Sequence, residues 1–322
     1  MGRILVTGGM GAIGSAAVRW LVEAGHRPVI FDRQGSNELV ADLLGEIDIE
    51  VGDLRSWGRV AEVIRRHDVD RIIHLAVLLP EEAAREPDQA IEVNVGATTA
   101  ICELARIMGL RRVVFASSKG VYRRFAPPYS HPEYRPVDET HPVEPDDMYD
   151  ITKYAAERIG IDYARRHGVD FIALRFAATY GPGRMVRHGS VAIRSAIIEN
   201  AWFGRPTILA RGADQQDDFV YTKDIAQALG KAAFVESVTD RVFNIGTGQA
   251  STLAAAAQIL RREVPGAHIE IGPGADYGTG SGHYCIFDIS RARRQLGYEP
   301  AYDHERGILD YLAFLSATAP RG

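Results

Sequence analysis

The 322-residue chain is poor in three things. It has two cysteines, Cys102 and Cys285, and only four lysines among its 37 basic residues. It also has no apolar run near the roughly 20 residues that cross a bilayer. Two lone cysteines give neither a disulfide framework nor zinc spacing and are expected to be buried small hydrophobes. No grouping of His, Asp and Glu has ligand spacing, so no metal is expected. A net charge of −5 offers no basic surface for nucleic acid or an anionic membrane. The opening MGRILVTGG runs straight into a strand, and Val6 stands where a myristoylation signal needs Ser or Thr. Neither a secretory signal nor a lipid anchor is expected, which leaves the cytoplasm.

What is present is ordinary globular composition, 46% hydrophobic and 25% charged. That suits one large or two modest domains. Up to about residue 176, β-rich runs alternate with helical patterns. RILVTG, PVIFD (28–32), IDIEVGD (47–53), RIIHLAV (71–77), RVVFASS (112–118) and DFIALRF (170–176) read as strands. Between them, 14–24, 56–66, 87–108 and 146–166 read as helices. This alternation predicts an α/β fold with a doubly wound parallel sheet. Beyond Ala177 the rhythm loosens, and VFNIG (242–246) reads as a returning strand. The expected division is a dinucleotide-binding domain, 1–176 and 217–248, with a smaller substrate-binding lobe, 177–216 and 249–322. The stretch 123–147 holds six prolines and reads as a long loop of the kind that carries function.

TGGMGAIG joins the first strand to the first helix. It fits G-x-x-G-x-x-G through Gly8, Gly11 and Gly14, and G-x-G-x-x-G through Gly9, Gly11 and Gly14. Glycines there permit a tight turn and close approach of a pyrophosphate to the helix N-terminus. Asp32 closes the second strand. Its carboxylate suits the ribose hydroxyls of NAD and would repel the extra phosphate of NADP. Tyr149 and Lys153 stand one helical turn apart. Chance placement of 13 tyrosines and four lysines yields well under one such pair, in a chain that otherwise uses Arg. An ammonium is a compact charge where a guanidinium is a wide fork.

These motifs, with VGDL (51–54), HLA (74–76), NVGAT (94–98), SSKGVY (117–122), LRFAATYGPG (174–183), DDFVYTKDIA (217–226) and FNIGTG (243–248), span nearly the whole chain. Together the sequence resembles the extended short-chain dehydrogenase/reductase family, the NAD-dependent epimerase/dehydratase group. The resemblance implies NAD as cofactor and Ser118, Tyr149 and Lys153 as the catalytic set. It implies dinucleotide contacts from Gly8, Gly11, Ala12, Ile13 and Gly14 in the loop and from Asp32 after it. Asp53 and Leu54 match residues flanking the adenine, and Leu75 and Ala76 those near the pyrophosphate. Asn94 matches a residue beside the active site, where packing or capping is an equal reading. Phe176 matches a position against the nicotinamide, or is a core Phe. Tyr149 and Lys153 also face the cofactor.

The sequence departs from the group in three places. Dehydratases carry Asp and Glu directly after the catalytic hydroxyl; here Lys119 and Gly120 follow it, which argues against dehydration. Nucleotide-sugar enzymes of the group carry an Asn and an Arg where this chain has Ala178 and Asp217. A further Arg usual in the region of 274–284 is missing, and Asp217 is expected to repel a diphosphate. Arg123, Arg124, His131, Tyr134 and Arg135 in the long loop, and Arg184, Arg187 and His188, are candidate substrate contacts or solvated charges. The leading expectation is an NAD-dependent oxidoreductase acting on a secondary alcohol of a sugar, sugar acid or related hydroxy acid. The alternatives are a nucleotide-sugar epimerase like UDP-glucose 4-epimerase, with retained NAD, and a non-enzymatic dinucleotide sensor. An intact Ser118, Tyr149 and Lys153 speaks against the sensor. A homodimer is also expected. The family pairs the helices over 88–108 and 150–166 across a two-fold axis, and Ile91, Val95, Ile101, Leu104, Tyr154, Ile161 and Tyr163 give them extra apolar positions.

Overall fold

A computed structural model describes residues 2–33, 38–183, 192–278 and 282–319. Arg184, Arg187 and His188 lie outside the described residues. Seven parallel strands form the central sheet: β1 (Arg3–Thr7), β2 (Val29–Asp32), β3 (Asp48–Val51), β4 (Val69–His74), β5 (Arg112–Ser118), β6 (Phe171–Phe176) and β11 (Val242–Ile245). Their order is β11-β6-β5-β4-β1-β2-β3. The order reverses between β1 and β4, and such a crevice is where open α/β sheets bind ligands. Helices α1 (Ala12–Glu23), α2 (Trp57–Arg66), α5 (Ala97–Met108) and α6 (Met148–His167) cover the sheet. Val6, Ile30, Ile73 and Val114 pack toward one face, and Leu5, Phe31, Ile72 and Phe115 toward the other. Burial on both faces explains why these strands read as continuous apolar runs. The expected α/β doubly wound fold is observed.

The helix expected over 87–108 is continuous but carries a π-type turn within it. Short helices α3 (Pro80–Arg85) and α4 (Pro87–Ala90) lead into a π-type turn, Ile91–Gly96, before α5 begins. Asn94 sits in that turn, 2% exposed, and its amide bonds Leu78 and Thr152. A π-turn bends the helix locally without ending it.

The remaining strands are short. They are β7 (Ala178–Tyr180), β8 (Thr207–Leu209), β9 (Gln216–Asp217), β10 (Phe219–Tyr221), β12 (Ser251–Thr252) and β13 (Ile269–Ile271). They pair as β7 with β10, β8 with β13 and β9 with β12. A separate core of Tyr180, Ile197, Phe219, Leu260, Ile308 and Tyr311 lies among them and their helices. Among the described residues no helix is long and apolar enough to cross a membrane.

Candidate active site

The sheet's C-terminal edge gathers the polar motifs. After β1 the chain turns tightly. Gly8 has φ +71°, and a Cβ there would lie 2.8 Å from Ala76 N. A Cβ on Gly14 would lie 2.1 Å from Gly8 O, so the loop folds back on the first turn of α1 and tolerates no side chain there. Gly11 precedes Ala12 and Ile13, which open α1. Asp32 ends β2 beside this loop; its carboxylate accepts from Met10 N at 3.1 Å and from Arg33 N at 2.8 Å. Leu75 and Ala76 follow β4, their amides near Thr7 Oγ1 at 3.2 and 3.3 Å. Asp53 and Leu54 follow β3. Leu54 is buried, and Asp53 pairs with Arg55, which holds its carboxyl below the usual range. Backbone amides, a helix N-terminus and a flanking carboxylate stand together here, as a dinucleotide requires.

Ser118 is the last residue of β5, beside Phe176 at the end of β6. Its Oγ accepts from Gly120 N at 3.0 Å. The helix carrying Tyr149 and Lys153 begins just before them, because Asp147 caps it by accepting from Asp150 N at 2.8 Å. Lys153 is 3% exposed. Its ammonium donates to Ala116 O at 2.7 Å and lies 4.8 Å from the Phe115 ring centre and 5.8 Å from that of Tyr149. Burial pushes the ammonium down to about 7, against the pull of Asp150. The structure therefore brings Ser118, Tyr149, Lys153 and Phe176 to one end of β5 and β6. Asn94 stands close by, with its amide occupied by Leu78 and Thr152.

The candidate substrate contacts separate. Arg123, Arg124 and Arg135 line a cavity of about 580 Å³ with Tyr129, Asp138 and His141. His131 is exposed outside it. Tyr134 is buried, and its hydroxyl accepts from Gln215 Nε2 at 2.6 Å, which ties the loop to the segment before β9. Asp217 does not meet the cleft as a bare charge. Both its oxygens lie 2.8 Å from Lys119 Nζ, and Tyr277 donates to it at 3.2 Å. The repulsion expected from position 217 is thus offset within the protein. This pair was invisible in the sequence, whose only hint was a lysine in the place of an acid.

Fold and site together define a Rossmann-type enzyme of the extended short-chain dehydrogenase/reductase class. A family model described as the NAD dependent epimerase/dehydratase family matches residues 4–246, and the chain belongs to that family. It is 29% identical over 322 residues to a UDP-glucose 4-epimerase of Rhizobium leguminosarum bv. trifolii, 93% of each chain being covered. Among solved structures it resembles the UDP-glucose 4-epimerase of Thermotoga maritima with UDP-glucose, with a TM-score of 0.85, 26% identity and 98% and 99% coverage. It also resembles a partial consensus L-threonine 3-dehydrogenase, with a TM-score of 0.83, 25% identity and the same coverage.

Proposed function

We propose that this enzyme oxidises or reduces a secondary alcohol of a small polyhydroxylated substrate, a sugar, sugar acid or hydroxy acid, with NAD. The observation that carries this reading is the placing of Tyr149 and the buried Lys153 ammonium at the Ser118 end of β5. The loop at Gly8 and Gly14 has the close backbone approach that a pyrophosphate needs, and Asp32 stands where ribose hydroxyls would meet it. When bound, NAD supplies the hydride acceptor. Ser118 holds the substrate oxygen and Tyr149 takes its proton. A phenol is too weak a base at neutral pH, and the Lys153 charge favours the phenolate. The protein works in the cytoplasm as a homodimer.

A second reading, epimerisation of a nucleotide sugar with NAD retained, is supported by the relatives. Their names include UDP-glucose 4-epimerases. Ala178 and Asp217, which stand where nucleotide-sugar enzymes of the group carry an Asn and an Arg, favour the first. The test is a panel of free sugars, sugar acids and nucleotide sugars, followed by NADH absorbance and by sugar analysis. Net NADH supports dehydrogenation. Interconverted sugars without NADH support epimerisation. Binding of NAD with neither outcome across the panel would favour the sensor.

A further inference from the structure

Tyr149, Lys153 and Glu157 follow one another at one-turn intervals along one side of α6. Glu157 is fully buried. Its Oε2 accepts from Ser117 Oγ at 2.8 Å and from Arg175 Nε at 3.0 Å, and its Oε1 accepts from Arg175 Nη2 at 2.5 Å. Ser117 comes directly before Ser118 on β5, and Arg175 directly before Phe176 on β6. The two stand opposite each other in the sheet, so their side chains leave the same face. One carboxylate therefore ties the helix of Tyr149 and Lys153 to both strand ends that meet at the candidate active site.

We propose that Glu157 is a positioning residue: it fixes how far the Tyr149 phenol stands from the Ser118 hydroxyl, a role that rests on the function proposed above.

The helix has other contacts with the sheet, and they constrain it differently. Lys153 Nζ donates to Ala116 O, next to Ser117. That bond ends a flexible four-carbon stem, which places an ammonium more than it places a helix. Farther along, a Cβ on Gly160 would lie 2.1 Å from the Phe171 ring. This close approach sets how deep α6 lies, and an apolar contact is not directional. The Glu157–Arg175 pair is bonded at two points and charge-assisted, which makes it both strong and directional. Arg175 is held in turn. Its guanidinium lies 4.6 Å from the centre of the Tyr122 ring, and the Tyr122 hydroxyl donates to Asn244 Oδ1 on β11 at 2.7 Å. The clamp thus reaches from α6 across β5 and β6 to β11. A small displacement of reacting groups lowers the rate of a proton transfer without weakening binding elsewhere.

Ser117→Ala cuts the tie to β5 and leaves the Glu157–Arg175 pair whole, so no buried charge is stranded. On the substrate that the panel identifies, turnover should fall by on the order of 10- to 100-fold while NAD affinity, read by calorimetry, stays within about twofold. In a Tyr149→Phe background the same change should leave the residual rate nearly unaltered, because without the phenol hydroxyl its distance from Ser118 no longer matters. A merely structural loss would lower both backgrounds by the same factor. That result overturns the proposal, as does undiminished turnover by Ser117→Ala, or a loss of NAD affinity in step with turnover. Glu157→Gln, which keeps an acceptor for Ser117 but not the charge that holds Arg175, should show the same split between turnover and NAD affinity. Near-normal turnover by Tyr149→Phe alone would contradict the function proposed above and take this role with it, whereas equal losses in both backgrounds would remove only the role of Glu157.

Discussion

Lys119 and Asp217, 98 residues apart, form an ion pair with both carboxylate oxygens 2.8 Å from the ammonium. It joins the turn after β5 to β9. Asp217 is 1% exposed. Burial opposes the charge on Lys119, and Asp217, together with Cys285 and Asp218, more than restores it.

Breaking this pair from one side leaves a buried charge without its partner. Lys119→Met should destabilise the fold by about 3 kcal/mol, the scale for removing one member of a buried pair. Asp217→Asn in the same chain should recover part of that loss. Chemical denaturation of the two single variants and the double variant measures the coupling. Additive losses would show that the pair contributes nothing.

Asp32 is expected to select NAD. Asp32→Ser should weaken NAD binding about tenfold or more, since hydrogen bonds to a charged group are worth about 1.5–3 kcal/mol. Discrimination against the 2′-phosphate should fall with it. Calorimetry with both cofactors decides the matter. Tighter binding of NADP by the unaltered protein would make Arg33 the selector.

The dimer expectation draws on α5 and α6, and the structure changes which residues carry it. Ile101 and Leu104 are buried within the chain's own core. Ile91, of the expected set, is 53% exposed, and Ile107 and Ile151, outside it, are 59% and 45% exposed. Light scattering in dilute solution should give twice the chain mass, and Ile151→Lys should shift it toward the monomer. A monomeric mass for the unaltered protein would rule the dimer out.

Local signals carried most of the fold. The strands of the large sheet are buried on both faces, so their apolar runs stand out, and the expected strand over 112–118 is the one observed. The glycine loop and Asp32 were legible because a tight turn after a strand demands particular residue types. The π-turn at Ile91–Gly96 was not, since it depends on Asn94 tying Leu78 to Thr152. Asp150 sat unread inside YDITK, because only the fold shows that it uses the space at Gly120. The Lys119–Asp217 pair had no local hint beyond a lysine in the place of an acid, because its members are 98 residues apart.

The most direct measurement is turnover of Tyr149→Phe on the substrate that the panel identifies, with NAD binding measured beside it. Removing one hydroxyl should leave the fold and NAD affinity intact and lower turnover by on the order of 10²–10⁴, the range of general acid–base catalysis. Lys153→Met should lower both turnover and NAD affinity, and Lys153→Arg should not restore full activity, because the planar fork differs in shape and reach. Near-normal turnover by Tyr149→Phe would contradict the Tyr149–Lys153 mechanism.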